Sequence, residues 1–361
     1  MSQHSNPQSG FVLPAVLAVL AMIGLVTVGA VLALRASTEA VVSARTLANL
    51  DRAAATAEAR FAFIMATQPL ASSGFRVNGY RLSIQQADGF EPTPFPFDDP
   101  RFIGTMLLAD GRPYRIASSD TVATPIIVEV QDAAGLINVN SALNQSFARL
   151  LIANGASAGD ARRLSAKLAD FTDVDGDIRF EGAERAAYLR LGQPAPPNKF
   201  VYRLQDLYRI PGWPPAGVNT TALENSLTAA QPRDINVNTA TAEAIAASFD
   251  VSLAQANLAI RARELKPFPS LQAFLSTVRA NVDTSDEGIY TFPSQFFRLR
   301  IRSPDGGPVL ERSMEIVPRN SLRPIWVNDR RQLPPRAALS QEQQGLVSAA
   351  LPSPTDLSLT R

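Results

Sequence analysis

FVLPAVLAVLAMIGLVTVGAVLAL, residues Phe11–Leu34, is the stretch that decides how this chain is built. Its 24 residues carry no charge. As a helix rising about 1.5 Å per residue they reach roughly 36 Å, enough to cross a bilayer core. Pro14 falls in the first turn, where its missing N–H costs little. A secretory signal has a shorter apolar core, and no clear small-x-small site precedes a mature domain here. A plain single-pass anchor leaves the next segment unexplained. From Arg35 to Ala66 there is no proline or glycine, and Val41, Leu47, Leu50 and Phe61 recur near helical spacing between Arg45, Asp51, Arg52, Glu58 and Arg60. The pattern predicts a membrane helix that runs on as an amphipathic stalk.

Composition removes several chemistries. Lys plus Arg number 34 against 33 Asp plus Glu, so no field of one sign points to general nucleic-acid binding. There is no cysteine, hence no disulfide, thiolate nucleophile or Cys-ligated metal. The one histidine, His4, lies in the polar stretch Met1–Gly10, and if that stretch is removed the chain has no imidazole for a Ser-His-Asp triad or a zinc site. Carboxylate chemistry and oxygen-ligated metals remain.

Downstream, Gln85–Arg101 carries four prolines and reads as a loop. Arg101–Ala117 reads as a hairpin turning at Asp110-Gly111, and Pro125–Val130 as a strand. A second hairpin spans 294–318, with Arg298, Arg300 and Arg302 alternating with Leu299 and Ile301, a pattern that favours a solvent face on a half-buried strand over the alternative of a basic binding stripe. The block between reads as helical: Ala142–Asn154, Ala158–Phe171, Leu204–Ile210, Thr241–Ser248, Leu253–Glu264 and Ser270–Ala280. It holds an echo, Ile137-Asn-Val-Asn-Ser-Ala142 and Ile235-Asn-Val-Asn-Thr-Ala240, with Ser141 and Thr239 as expected N-caps.

A polar leader ending at Gly10, then Phe11, then an apolar helix flowing into an amphipathic one resembles the type IV pilins and pseudopilins. Asp132-Ala-Ala-Gly135-Leu-Ile-Asn138-Val-Asn140, then Leu168-Ala-Asp170-Phe-Thr-Asp173-Val-Asp175, Gly182-Ala-Glu184 and Tyr188, is similar to the minor pseudopilin K of type II secretion systems. Phe171 stands where that family has Trp. Pro197-Asn198, Leu204-Gln-Asp-Leu207 and Pro267-Phe268 through Phe274 extend the likeness, which runs to about residue 320. The leader departs from the family in carrying no Lys or Arg.

The resemblance implies an α+β, type IV pilin-like fold: a long N-terminal transmembrane and stalk helix packed on an antiparallel sheet, with a large inserted all-α domain. The expected division is a prepilin leader at 1–10, a transmembrane helix at 11–34, a stalk at 35–66, pilin-like α/β parts at 67–131 and 285–330, the insertion at 132–284 and a flexible tail at 331–361. It further implies cleavage by a prepilin peptidase between Gly10 and Phe11, with methylation of Phe11. The expected location is the inner membrane, crossed once, with a periplasmic domain. The expected partners are the minor pseudopilins I, J and H and the major pseudopilin, with no nucleic acid and no enzymatic activity. Ala15 stands where most pilins have the Glu that pairs with a neighbour's N-terminal amine; the resemblance implies a mark of the tip subunit, and the alternative is one more apolar residue of the anchor.

The densest chemical cluster is Asp170–Glu184. Counted as an EF-hand from Asp173, carboxylates fall at positions 1, 3, 5, 9 and 12: Asp173, Asp175, Asp177, Glu181 and Glu184. Ile178 replaces the glycine required at position 6, which excludes a standard EF-hand. An irregular calcium loop remains, with Asp173, Asp175 and Glu184 as main ligands and Asp170, Asp177 and Glu181 as helpers, and the resemblance implies calcium. The alternative is a solvated acidic loop capping helix ends. Paired carboxylates also occur in glycosidases, but no aromatic-rich sugar cleft accompanies these. The rival function is a membrane-anchored helix-hairpin-helix DNA-binding protein of a competence-type system. Its hairpin needs a glycine-rich turn, and Ser248-Phe-Asp250-Val-Ser252 has no glycine and one added negative charge.

Overall fold

The structure, a computed structural model, describes residues 12–77, 106–117, 122, 125–141, 145–232, 234–280, 289–317, 323–347 and 349–352. The chain divides into two compact units, Met1–Arg52 and Ala53–Arg361. Helix α1, Val12–Thr67, is uninterrupted. Among the described residues it is the helix long and apolar enough to cross a membrane. In the first unit its apolar side chains, Leu13, Leu17, Ile23, Leu25 and Leu34 among them, are exposed.

In the second unit the last turns of α1 bury Ala53, Ala54, Ala57, Phe61 and Ile64, a helical stripe that packs on a sheet. Phe61 stands edge-on to Phe75 and Phe297 at 5.6 and 5.8 Å. Glu58, on the flank of that stripe, pairs with Arg312 at 3.2 Å and Arg330 at 2.6 Å. The small strands β1 (Leu70–Ala71), β2 (Gly74–Arg76) and β3 (Met106–Leu108) form one antiparallel sheet. β4 (Asp110–Ile116) and β5 (Ile126–Asp132) belong to a five-stranded antiparallel sheet that the chain completes after the insertion. The expected hairpin over Arg101–Ala117 does not form among the described residues: β3 pairs with β2, β4 pairs with β5, and Asp110-Gly111 opens β4.

The insertion begins with β6 (Ile137–Asn138), α2 (Gln145–Ala153), α3 (Ala158–Thr172) and α4 (Arg185–Arg190). A 3-10 turn at Leu204–Arg209, α5 (Thr220–Asn225), β7 (Leu227–Thr228) and β8 (Ile235–Asn236) follow. It closes with α6 (Ala242–Phe249), α7 (Leu253–Leu265), α8 (Leu271–Val278) and β9 (Ile289–Tyr290). One apolar core runs through it, including Phe147, Leu164, Phe171, Tyr188, Leu207, Ile245, Phe249 and Phe274. β10 (Phe296–Arg302) then re-enters the large sheet, followed by β11 (Gly307–Ile316), β12 (Ile325–Arg336) and the short α9 (Gln341–Leu346). The strand order is β12-β11-β10-β5-β4. The expected flexible tail from residue 331 therefore begins inside β12, and its described part also holds α9, capped by Ser340 and Gln343. Alternating side chains and a pairing with β11 that runs from Ile325 to Arg336, with two register shifts, carry this proline-bearing strand along the sheet edge.

The echoed motif is a structural repeat. Ile137–Asn138 pairs in parallel with β7, and Ile235–Asn236 with β9. In each copy the first Asn accepts from the backbone N–H two residues on, Asn140 or Asn238. The second Asn clasps two distant segments. Asn140 Nδ2 donates to Val201 O and Ala229 O while its Oδ1 accepts from Val201 N. Asn238 does the same with Phe268, through both its O and its N, and with Thr291 O. Buried backbone groups that no ladder satisfies are thereby paired. Thr239 is not the N-cap of α6; Thr241 fills that role by accepting from Ala244 N, and Thr239 turns inward. For Ser141 the expected cap position adjoins 142–144, outside the described residues.

Arg298, Arg300 and Arg302 are buried, against the expected solvent face. The insertion covers that side of β10. Arg298 donates to Asn225 O at 2.6 Å and Leu227 O at 3.2 Å, at the end of α5. Arg300 and Arg331 close on Glu311 at 2.7 and 2.6 Å, and Arg302 and Arg336 on Glu129 at 3.3 and 3.1 Å. Burial and the neighbouring Arg300 pull Arg298 down to about 9, so it stays charged at neutral pH.

Candidate functional site

Two polar constructions stand out: the junction where the insertion leaves the sheet, and the acidic loop. At the junction Asp132, at the end of β5, is fully buried. Its Oδ1 accepts from Ala134 N, Ser294 N and Ser294 Oγ, and its Oδ2 from Asn236 Nδ2 and Thr239 Oγ1. One carboxylate thus ties the end of β5 to the second repeat and to the segment entering β10. Burial pushes its carboxyl above the ordinary range, and the hydroxyl and amide donors oppose that push. Gly135 lies against Thr239, where a Cβ would fall 2.4 Å from the Thr239 carbonyl oxygen.

The acidic loop begins where α3 ends. Ser157 caps α3 by accepting from Asp160 N, and Leu164, Leu168 and Phe171 bury its inner stripe. Thr172 is the last helical residue and Asp173 is extended. On the buried face of the last turn sits Asp170, with no solvent exposure. A carboxylate there is costly unless paired. Arg179 supplies the pairing: its Nη1 donates to Asp170 Oδ1 at 2.9 Å and to Asp173 Oδ2 in a closer contact, and its backbone N donates to Asp170 Oδ2 at 3.3 Å. Asp173 first, then Asp170, holds the guanidinium above its ordinary pKa. The loop approaches this closely because residue 182 is glycine; a Cβ there would fall 2.0 Å from Asp170 Oδ2.

Asp175 folds the loop on itself: its Oδ1 accepts from Asp177 N at 3.0 Å, and its carbonyl accepts from Asn198 Nδ2. Asp177 is exposed, and Glu181 is left-handed at φ 63° with Oε2 3.9 Å from Arg162. Glu184, the residue before α4, is 8% exposed and makes no cap hydrogen bond with its side chain. Its Oε1, like Asp173 Oδ1, is buried without a hydrogen-bond partner. Burial first, then Asp170, Asp173 and Asp175, raises the Glu184 carboxyl. The fold therefore turns Asp170, Asp173 and Glu184 inward, leaves Asp175 and Asp177 exposed, and sets Glu181 toward Arg162. Among the described residues no three carboxylates converge as a ready-made metal site. Arg179 was not among the residues singled out from sequence; its signal was a basic residue in the middle of an otherwise acidic count.

Of the other positions, Gly10 and Phe11 lie outside the described residues, and Ala15 is exposed on α1. Asp250 takes a left-handed conformation between α6 and α7 and faces Arg149 at 3.4 Å.

Residues 127–231 match the family described as type II secretion system (T2SS), protein K, and residues 235–287 match a second profile of the same description. The two spans begin within β5 and end just before β9, so they coincide with the insertion. No curated protein matches the chain. A chain of the crystal structure of the GspK-GspI-GspJ complex from the enterotoxigenic Escherichia coli type 2 secretion system aligns with a TM-score of 0.46 and 17% identity, covering 63% of this chain and 84% of that one.

Proposed function

Through residues 127–287 the chain belongs to the type II secretion system protein K family, and on that premise we propose that it is a minor pseudopilin that caps the tip of a pseudopilus and takes part in its initiation. The observation that carries this is the coincidence of the family match with a helical block set between β5 and β10 of an antiparallel sheet, behind an apolar helix. The chain acts by assembly and not by catalysis. It is held in the inner membrane by one span, with minor pseudopilins I, J and H and the major pseudopilin as partners. A prepilin peptidase cuts between Gly10 and Phe11. Mass spectrometry of the membrane form is expected to show Phe11 as a methylated N-terminus; a mature protein still carrying His4 would remove the pilin reading.

Ala15 offers no carboxylate to a neighbour's amine, and the insertion is too bulky to repeat along a thin filament. Both support a single copy at one end. Labelled protein is expected at one end of each pseudopilus, and label at regular intervals along the shaft would overturn the capping role.

Calcium belongs to the same proposal. Asp173, Asp175 and Glu184, helped by Asp170, Asp177 and Glu181, supply the hard oxygen donors that calcium takes. The two buried carboxylate oxygens without partners, on Asp173 and Glu184, support that fit. The ion would tie the end of α3 to the start of α4, a structural role. The detergent-solubilised full chain is then expected to melt several degrees higher with calcium than with EDTA. Equal melting temperatures would reduce the cluster to acidic surface.

A further inference from the structure

We propose that the Arg179 guanidinium is the built-in cation of the acidic loop, and that a divalent cation binds by expelling it from between Asp170 and Asp173. The inference rests on the calcium reading and adds what that reading lacks, an account of why the carboxylates do not already converge. Arg179 Nη1 is shared by Asp170 Oδ1 and Asp173 Oδ2, the position from which one ion would touch both. Asp170 and Asp173 share this one guanidinium, and Glu184 feels the charges of Asp170, Asp173 and Asp175, so the cluster keeps excess negative charge. That excess has a physical trace: Glu184 Oε1 is buried with no donor. Glu184 lies more than nine-tenths buried beside the Asp170–Asp173 pair, as an unpartnered oxygen ligand would.

The way out for Arg179 is open. Its side chain is 40% exposed, while that of Asp170 is fully buried and cannot follow. Two charge-assisted hydrogen bonds break as the guanidinium leaves, and a divalent ion replaces one positive charge by two. The backbone N–H of Arg179 still reaches Asp170, so the loop stays in place while the side chain swings. Residue 179 thus lowers the affinity of the site while keeping the loop folded without metal.

The test is calcium titration calorimetry on the detergent-solubilised full chain, wild type against Arg179→Ala and Arg179→Lys. Arg179→Ala is expected to bind calcium about ten- to a hundredfold tighter, because the competing charged hydrogen bonds are gone. Arg179→Lys, which keeps a cation but not the fork, is expected to fall between. In the wild type, calcium is expected to speed modification of Arg179 by an arginine-specific dicarbonyl reagent, read by peptide mass spectrometry. Calcium binding with equal affinity in wild type and Arg179→Ala, or unchanged Arg179 reactivity, overturns the displacement and leaves the calcium site standing. No binding by any of the three proteins overturns both. Should Arg179→Ala fail to fold, the lysine variant and the reactivity measurement decide alone.

Discussion

Replacing Asp132 by alanine is expected to cost the protein about 3–5 kcal/mol, the range for stripping a buried charged group from its partners. Five donors converge on this carboxylate: two from Ser294, and one each from Ala134, Asn236 and Thr239. Alanine removes the shared acceptor of all five: Asn236 Nδ2, Thr239 Oγ1 and Ser294 Oγ keep Ser72 O, Asn236 O and Phe296 O, whereas the N–H groups of Ala134 and Ser294 lose the acceptor they have. Asp132→Asn keeps one acceptor oxygen and is expected to lose about half as much. Urea unfolding of the full chain in detergent checks both. A loss below about 1 kcal/mol for the alanine variant would show that the junction does not hold the insertion in place.

The second large effect is on acid stability. Burial alone would raise the Glu311 carboxyl, but Arg298, Arg300 and Arg331 outweigh it and hold it at about 2. The ordinary value is 4.5. A carboxyl lowered by folding contributes its stability above the ordinary value and loses it as pH falls toward the folded one. Glu311→Gln is therefore expected to cost up to roughly 3 kcal/mol at neutral pH, with the gap to wild type closing between pH 4.5 and 2. Asp132 works in the opposite sense. Its carboxyl is raised by burial, so its contribution weakens as pH rises above the ordinary carboxylate value. Melting curves across that range separate the two, and a pH-independent gap for Glu311→Gln would refute the assignment.

Much of this architecture was legible because local chemistry decides it. Ser157, Ser252 and Ser270 each cap the helix they precede, and the 294–318 hairpin turns at glycines with φ of 87° and 102°. What failed depended on distant packing. The alternation of Arg298, Arg300 and Arg302 correctly marks a strand, but periodicity cannot say that a segment far back in the chain will cover its polar face. Asp110-Gly111, expected as a hairpin turn, instead opens β4, because β3 and β4 pair with β2 and β5 in different sheets. α4 and α5, six residues each, are too short for a periodic signal. At the acidic loop the carboxylates were readable from spacing. Arg179 was not, because its place between Asp170 and Asp173 depends on the loop turning back at Gly182.

The buried arginines of β10 bear on how the protein opens. Arg298 spends its hydrogen bonds on the backbone oxygens of Glu224, Asn225 and Leu227, and Arg300 donates to Asn225 Oδ1. The insertion is thus no cargo that the sheet could readily shed, since lifting it away would break the bonds of Arg298 to three backbone oxygens and of Arg300 to Asn225, leaving these cations only their carboxylate partner Glu311. Sheet and insertion must come apart together, as a single cooperative block in amide exchange. A force applied to either the sheet or the insertion would then be borne by both, through Arg298 and the backbone oxygens of Asn225 and Leu227.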